Sequence, residues 1–136
     1  MFVLEGRQYR CAEQYYQSQK CLEGGNAYAA DEVMLEKDPV IIKKIGDSVK
    51  IDYKRWINGK GSHVMLTGLH AKFSQNQGLR DALINTGDKS MVECNRYDTN
   101  WGIGLALKDE EATDCTTWKG ENLLGLCLDR IREDLN

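Results

Sequence analysis

The sequence predicts a mainly α protein: a single-domain helical bundle over residues 1–136 with minor β content. Three observations carry that expectation. Apolar residues recur at three- and four-residue spacing in several stretches. Those stretches are bounded by cap residues and glycines. Runs that alternate at period two are few and short, and the chain has one proline, Pro39.

The first helix covers residues 12–23, which contain no breaker and stop at Gly24-Gly25. The stretch "EKDPVIIKKIGD" reads as a second helix. Asp38 is its N-cap and Pro39 its first residue, Val40, Ile41, Ile42 and Ile45 are its apolar positions, and Gly46 closes it. "GSHVMLTGLHAKF" places Val64, Met65, Leu69 and Phe73 on one stripe. "QGLRDALINTGD" repeats the design, with Leu79, Leu83 and Ile84 inward and Gly87 at the end. "SMVEC" is the best short strand, and "VKIDY" alternates at period two as a second one. The last helix lies in "ENLLGLCLDRIREDL", with Leu124, Leu128, Ile131 and Leu135 facing the core.

Bulk properties exclude several functional classes. At 136 residues the chain is one domain's worth and long enough to bury a core. Its 41% hydrophobic and 29% charged content is that of an ordinary globular protein. A net charge of −3 without a basic stripe argues against binding long nucleic acid through backbone charge. No apolar run approaches the roughly 18 residues of a membrane span, and "MFVLEGRQYR" lacks the layout of a signal peptide. A cytoplasmic location is therefore expected. The cysteines (Cys11, Cys21, Cys94, Cys115 and Cys127) are scattered, odd in number and form no C-x-x-C. His63 and His70 are the only histidines. No zinc-ligand spacing results, so the cysteines are expected to be reduced and no metal or cofactor is expected.

Three polar clusters remain. In "AEQYYQSQK", residues 12–20, Glu13, Gln17 and Lys20 lie at i, i+4 and i+7 and share one helix side, bordered by Tyr16. Glu13 and Lys20 would stand about 10 Å apart along the axis, room for one small ligand. By themselves these residues fit a solvated stripe better than an active site, because charged helix faces are usually exposed. In "YDTNWGIGLALK" a tryptophan followed by glycines suits a pocket, where a ring stacks on a base and backbone N–H groups approach phosphate. A core Trp beside a tight turn fits it equally well. In "WKGENLLG", the start of the last helix is either an anion site or plain capping.

In this order, "AEQYYQSQK", "DPVIIKKIG", the tryptophan at Trp56, "MLTGLHAKFSQNQGLRDALINTGDKSMVE", "YDTNWGIGL" and "WKGENLLGLCLDRIREDL" resemble the NADAR, or YbiA-like, family over most of the chain. The resemblance implies one mainly α domain and N-glycosidase activity. The expected reaction cleaves a ribose–base C–N bond, first in ADP-ribosylated guanine or a related ADP-ribose conjugate, alternatively in riboflavin-pathway intermediates. A third alternative is a module that binds ADP-ribose or a nucleotide without turnover. The implied partner is a small-molecule nucleotide or ADP-ribosylated nucleic acid, and no membrane.

The resemblance also assigns residues. Glu13 stands at the family's essential glutamate and Lys20 at the lysine two turns on. Asp98, Trp101 and Gly102 form its D-x-x-W-G element, Trp56 is a pocket tryptophan, and Asn122 is the polar residue of G-x-N-x-L-G. Glu13, Lys20 and Asp98 are thus the implied catalytic residues, and Tyr16, Gln17, Trp56, Trp101, Gly102 and Asn122 the implied substrate-binding ones. Breaking a glycosidic C–N bond builds positive charge on the sugar and negative charge on the base. Glu13 could protonate the base or activate water, and Lys20 could form a Schiff base with the sugar, provided its amine is neutral. Three departures accompany the match: an upstream Ser-Asn-Phe segment is expected to be missing, Gln14 replaces a frequent His, and an Arg shortly after Trp56 is absent.

Overall fold

A computed structural model describes all residues, Met1–Asn136. It contains seven α-helices, two 3-10 turns and one two-stranded sheet. The strands are β1 (Phe2–Leu4) and β2 (Arg7–Tyr9). The helices are α1 (Ala12–Glu23), α2 (Ala27–Leu35), α3 (Pro39–Ser48), α4 (Tyr53–Ile57), α5 (Lys60–Ser74), α6 (Gln77–Ile84) and α7 (Leu123–Leu135). The expected mainly α class with a small sheet is what forms. The chain divides into two compact units, Met1–Arg80 and Asp81–Asn136.

In the first unit α1 is the central element, packed by α2, α3 and α5. One core cluster joins Cys21 of α1 to Ala29, Ala30 and Val33 of α2, Ile42 of α3, and Val49. A second joins Phe2, Tyr9 and Ala71, with Tyr15 beside them. The Phe2 and Tyr9 rings stack at 5.7 Å, and Tyr9 meets Tyr15 edge-on at 5.0 Å.

The strands lie elsewhere than the sequence pattern places them. The hairpin pairs Phe2 with Tyr9 and Leu4 with Arg7 around Glu5-Gly6. Both turn residues have positive φ, 50° and 77°, as a two-residue hairpin turn that follows strand twist requires. The free edge of β1 is closed by side chains: Val3 N–H donates to Gln75 Oε1, Gln75 Nε2 donates to Val3 O, and Asn76 Nδ2 donates to Met1 O. "SMVEC" is not a strand, because side chains replace a partner strand. Met91 N–H donates to Asp129, Asn122 Nδ2 donates to Met91 O, and Glu93 N–H donates to Asn122 Oδ1. "VKIDY" is not one either. Val49 and Ile51 do both pack inward, against the α1–α3 core, but Asp52 caps α4, accepting from Arg55 N–H, so the segment is a connector.

Side-chain caps open α2, α3 and α4, from Asn26, Asp38 and Asp52, whereas Cys11, Gly59 and Asn122 precede α1, α5 and α7 without a side-chain cap bond. Asp38 caps α3 through Val40 N–H, with Pro39 first in the helix. Gly46, however, does not end α3, which runs two residues further to Ser48. Val40 and Ile41 face solvent while Ile42 is buried. On α5, Val64, Met65 and Leu69 are buried and Phe73 is half-buried. On α6 only Leu83 is buried, and Leu79 is exposed rather than inward. Ile131 is the buried anchor of α7, with Leu124, Leu128 and Leu135 half-buried.

In the second unit, Ile103, Leu105 and Ala112 form a small core with Cys94 and Trp118 against it. No helix is long and apolar enough to cross a membrane.

Candidate active site

The polar side of α1 is not a solvated stripe. Gln14, Gln17, Ser18 and Lys20 are all buried, and Lys20, 4% exposed, is the one charged residue buried in the chain. Charged side chains are almost never fully buried unless paired. Lys20 Nζ donates to Asp47 Oδ1 of α3 at 3.0 Å, and it lies 5.5 Å from the centre of the Tyr53 ring of α4. The other oxygen of Asp47 meets Lys43 Nζ at 3.4 Å.

Each neighbouring position on α1 meets a different element. Gln17 faces α3 where Gly46 has no side chain; a Cβ there would collide with the Gln17 amide. Gln17 Nε2 donates to Glu13 Oε1 at 2.7 Å, while its own Oε1 is buried without a hydrogen bond. Glu13 is only half-buried and sits in the first turn of α1, where the helix dipole favours a carboxylate. Trp56 Nε1 donates to Tyr16 Oη at 2.7 Å, both rings are buried, and Gly61 lies close against the indole. This packing makes Trp56 a wall in this structure rather than an open stacking face. Gln14, at the position of the family's histidine, accepts from Arg10 N–H. Its Nε2 donates to the carbonyls of Val33, Met34 and Glu36, fastening the start of α1 to the end of α2. Burial pushes the thiol of Cys21 up, against the lowering effect of nearby Lys20, which suits an unreactive core thiol.

In the second unit the candidate residues organise backbone. Asp98 Oδ1 accepts from Asn100 N–H at 3.0 Å and Trp101 N–H at 2.8 Å, an Asx turn, and Oδ2 takes no hydrogen bond. Gly102 is buried in that turn, and a Cβ on it would stand 2.9 Å from Asp98 O and 3.0 Å from Glu93 O. Trp101 is buried beside it. Asn122 adopts a left-handed conformation, φ 53°, and both ends of its amide bind the backbone of Met91 and Glu93.

The start of α7 is no anion site. Its first N–H groups are already taken, Asn122 by Gly102 O, Leu123 by Asn100 O and Leu124 by Trp101 O. A groove of about 280 Å³ in this unit, lined by Glu93, Asn95, Arg96, Tyr97 and Lys108 among others, holds none of the candidate residues.

The structure brings Glu13, Tyr16, Gln17, Lys20 and Trp56 together around α1, and Asp98, Trp101, Gly102 and Asn122 around one loop, whereas the sequence reading groups only Glu13, Tyr16, Gln17 and Lys20 on one helix side. That reading missed Asp47 and Tyr53. Ending α3 at Gly46 put Asp47 outside the helix. The available signal was the inner-face spacing Ile42, Ile45, Val49, which carries the helical pattern past Gly46. Tyr53 had been absorbed into a supposed strand.

Residues 2–136 match the family model for the NADAR domain. The chain is 35% identical over 130 residues to protein irg-1 of Caenorhabditis elegans, covering 93% of this chain and 61% of the relative. It is 35% identical over 131 residues to N-glycosidase R617 of Acanthamoeba polyphaga mimivirus, covering 96% and 76%. N-glycosidase YbiA of Escherichia coli is 32% identical over 133 residues, covering 97% and 74%. The NMR structure of YbiA superimposes with a TM-score of 0.75 at 29% identity, covering 98% of this chain and 71% of that one. The chain therefore spans less than two thirds of the nematode relative and about three quarters of the other two. With the family pattern present along nearly its whole length and the fold shared with a solved relative, this chain belongs to the NADAR family.

Proposed function

We propose that the chain is an N-glycosidase that hydrolyses a ribose–base C–N bond in ADP-ribosylated guanine or a related ADP-ribose conjugate. The observation that carries this reading is the burial of Lys20: a lone lysine inside a helical core, its amine fixed by partners from two other helices. A core gains nothing from such a group, whereas a nucleophile needs a fixed, water-poor setting.

In the proposed reaction Glu13 donates a proton to the leaving base as the C–N bond breaks. Lys20 Nζ first gives up its ammonium proton to water, then bonds as the free amine to the anomeric carbon, and a further amine proton passes to the ring oxygen. The sugar ring opens to a Schiff base, and water then adds to that carbon and releases the amine and the free ribose end. The Gln17 amide orients the Glu13 carboxylate through Oε1 and leaves Oε2 for the base or the water. Asp98, in the other unit, is given a catalytic role by the family resemblance alone. A net charge of −3 suits a nucleotide-sized substrate better than a long nucleic acid.

The test is mass spectrometry of the chain incubated with an ADP-ribosylated guanine oligonucleotide, with and without borohydride. Release of the unmodified oligonucleotide together with a reduced sugar adduct on Lys20 is expected. Release without an adduct would retain the glycosidase and remove the Schiff base. If nothing is released, riboflavin-pathway intermediates come next, and ADP-ribose binding without cleavage in calorimetry would replace the enzyme by a binding module.

A further inference from the structure

We infer that Asp47 is a positioning residue for Lys20: a carboxylate on α3 that fixes the reactive amine of α1. The inference rests on the reading of Lys20 as nucleophile given above. Lysine carries its charge on a flexible four-carbon stem with three rotatable donors, so burial alone does not define where the amine sits. Asp47 defines it. Its Oδ1 accepts from Nζ at 3.0 Å, and its Oδ2 is held in turn by Lys43 at 3.4 Å, one turn back on α3. The Tyr53 ring covers the amine from α4.

The reach of Asp47 depends on its neighbour. Gly46 lets α3 approach α1 closely enough to press on the Gln17 amide, and the next residue along α3 then meets Lys20, one turn further along α1. The two contacts form a short ladder, Gln17 to Gly46 and Lys20 to Asp47. Asp47 differs from an ordinary surface pair: its own side chain is 51% exposed, but that of its partner is 5% exposed. Exposed pairs contribute little, whereas a buried amine is strongly dependent on its one carboxylate.

ADP-ribose supplies a probe, because the free end of its terminal ribose opens to an aldehyde. That aldehyde and a lysine amine lose one water to form an imine, and cyanoborohydride adds hydride, with a proton from water, to give a stable secondary amine. The intact chain is incubated with ADP-ribose and cyanoborohydride, and adducts are mapped by peptide mass spectrometry against exposed Lys44 as internal reference. Labelling at Lys20 is expected to fall roughly tenfold or more in Asp47→Ala, since misplacing a reacting group by about 1 Å can cost about a hundredfold. Asp47→Asn, which keeps an oxygen facing Nζ, should stay within about threefold of the unaltered chain. Turnover of the ADP-ribosylated oligonucleotide should fall in kcat with KM little changed. Circular dichroism melting shows that each variant is folded, and if Asp47→Ala does not fold, the comparison of Asp47→Asn with Asp47→Glu decides: a structural role predicts equal labelling, positioning predicts slower labelling for the longer side chain. Equal or faster labelling of Lys20 in folded Asp47→Ala overturns the inference alone. No adduct on Lys20 in the unaltered chain overturns the nucleophile reading, and this inference with it.

Discussion

Gln17 and Asn122 are both buried amides at candidate positions, and they serve opposite ends. Gln17 donates to a side chain, the Glu13 carboxylate, and rests on the bare backbone of Gly46. Asn122 donates to and accepts from the main chain of Met91 and Glu93, supplying the bonds that a neighbouring strand would otherwise make. The contrast holds around each. Near α1, side chains hold side chains at Lys20–Asp47 and Trp56–Tyr16, with Gln14, which binds main chain of Arg10 and α2, as an exception. In the second unit, side chains and carbonyls hold loops: Asp98 folds its own turn, and the residues at 119–124 bond back to the carbonyls of 99–103. Residues of the first kind can be altered with the backbone left standing. Residues of the second kind are the backbone's support, so a loss of activity on mutating them does not by itself report chemistry.

The sharpest break of this comparison is Asn122→Ala. It removes two hydrogen bonds to half-buried backbone groups, at roughly 1 kcal/mol each or more, and puts alanine where φ is 53°, at about 1–2 kcal/mol. A loss of about 3–4 kcal/mol in urea unfolding is expected. Asn122→Gly should recover about 1 kcal/mol of it by removing the Cβ. If Asn122→Ala keeps full stability and loses only activity, Asn122 serves substrate and the contrast with Gln17 fails.

Gly46→Ala is next. Alanine gains up to about 1 kcal/mol of helix propensity, but its Cβ meets the Gln17 amide in a filled interior, where overpacking costs about 1–3 kcal/mol. A net loss near 1 kcal/mol is expected, with most of it recovered in Gly46→Ala/Gln17→Ala. A double-mutant cycle reads that coupling directly; additive losses would mean that the two helices do not meet there. Of similar size is Trp56→Phe, which deletes the indole N–H donated to Tyr16 and should cost about 1 kcal/mol for that bond. A cost below about 0.3 kcal/mol would mean the buried bond contributes nothing.

The same contrast explains what the sequence disclosed. Helix existence was legible wherever caps and apolar period agreed, as at Asp38-Pro39 and at Gly24. The burial of Lys20 was not, because it depends on α3 approaching α1 at Gly46, and a glycine that permits close packing reads locally like a glycine that ends a helix. "SMVEC" misled for a related reason. Its residues have strand preference, but Asn122 and Asp129, some 30 residues or more away, satisfy its backbone. Family resemblance located Glu13, Lys20 and Asp98 along the chain, yet Asp47 and Tyr53, which hold the lysine, belong to no motif quoted for their roles. Order along the chain identifies the parts; which parts support which is settled by packing.

The smallest expected effect distinguishes the two units by pH. In the first, burial raises the phenols of Tyr9 and Tyr15 and the thiol of Cys21. Raised acids contribute stability that is complete below their unfolded pKa, near 10 for tyrosine and 9 for cysteine, and that is lost as pH rises through the folded values. In the second unit, Asp109 is held below the usual carboxylate value by the Ala106 N–H and then by Arg96, and Asp114 by the Thr116 hydroxyl and N–H. Their contribution is complete above the unfolded pKa near 3.8 and is lost as pH falls through the lower folded values. Each unit also carries one opposing group, Glu36 lowered in the first and Cys127 raised in the second, so the bias is partial. Residue-resolved NMR of urea unfolding should therefore show the first unit's midpoint falling more between pH 7 and 10.5, and the second unit's falling more between pH 5 and 3. Tyr15→Phe should flatten the alkaline limb of the first unit and leave the acid limb of the second untouched. Units that lose stability together at both extremes, with Tyr15→Phe changing neither, would mean that these groups do not set the pH response and that the division between side-chain-held and backbone-held regions does not extend to it.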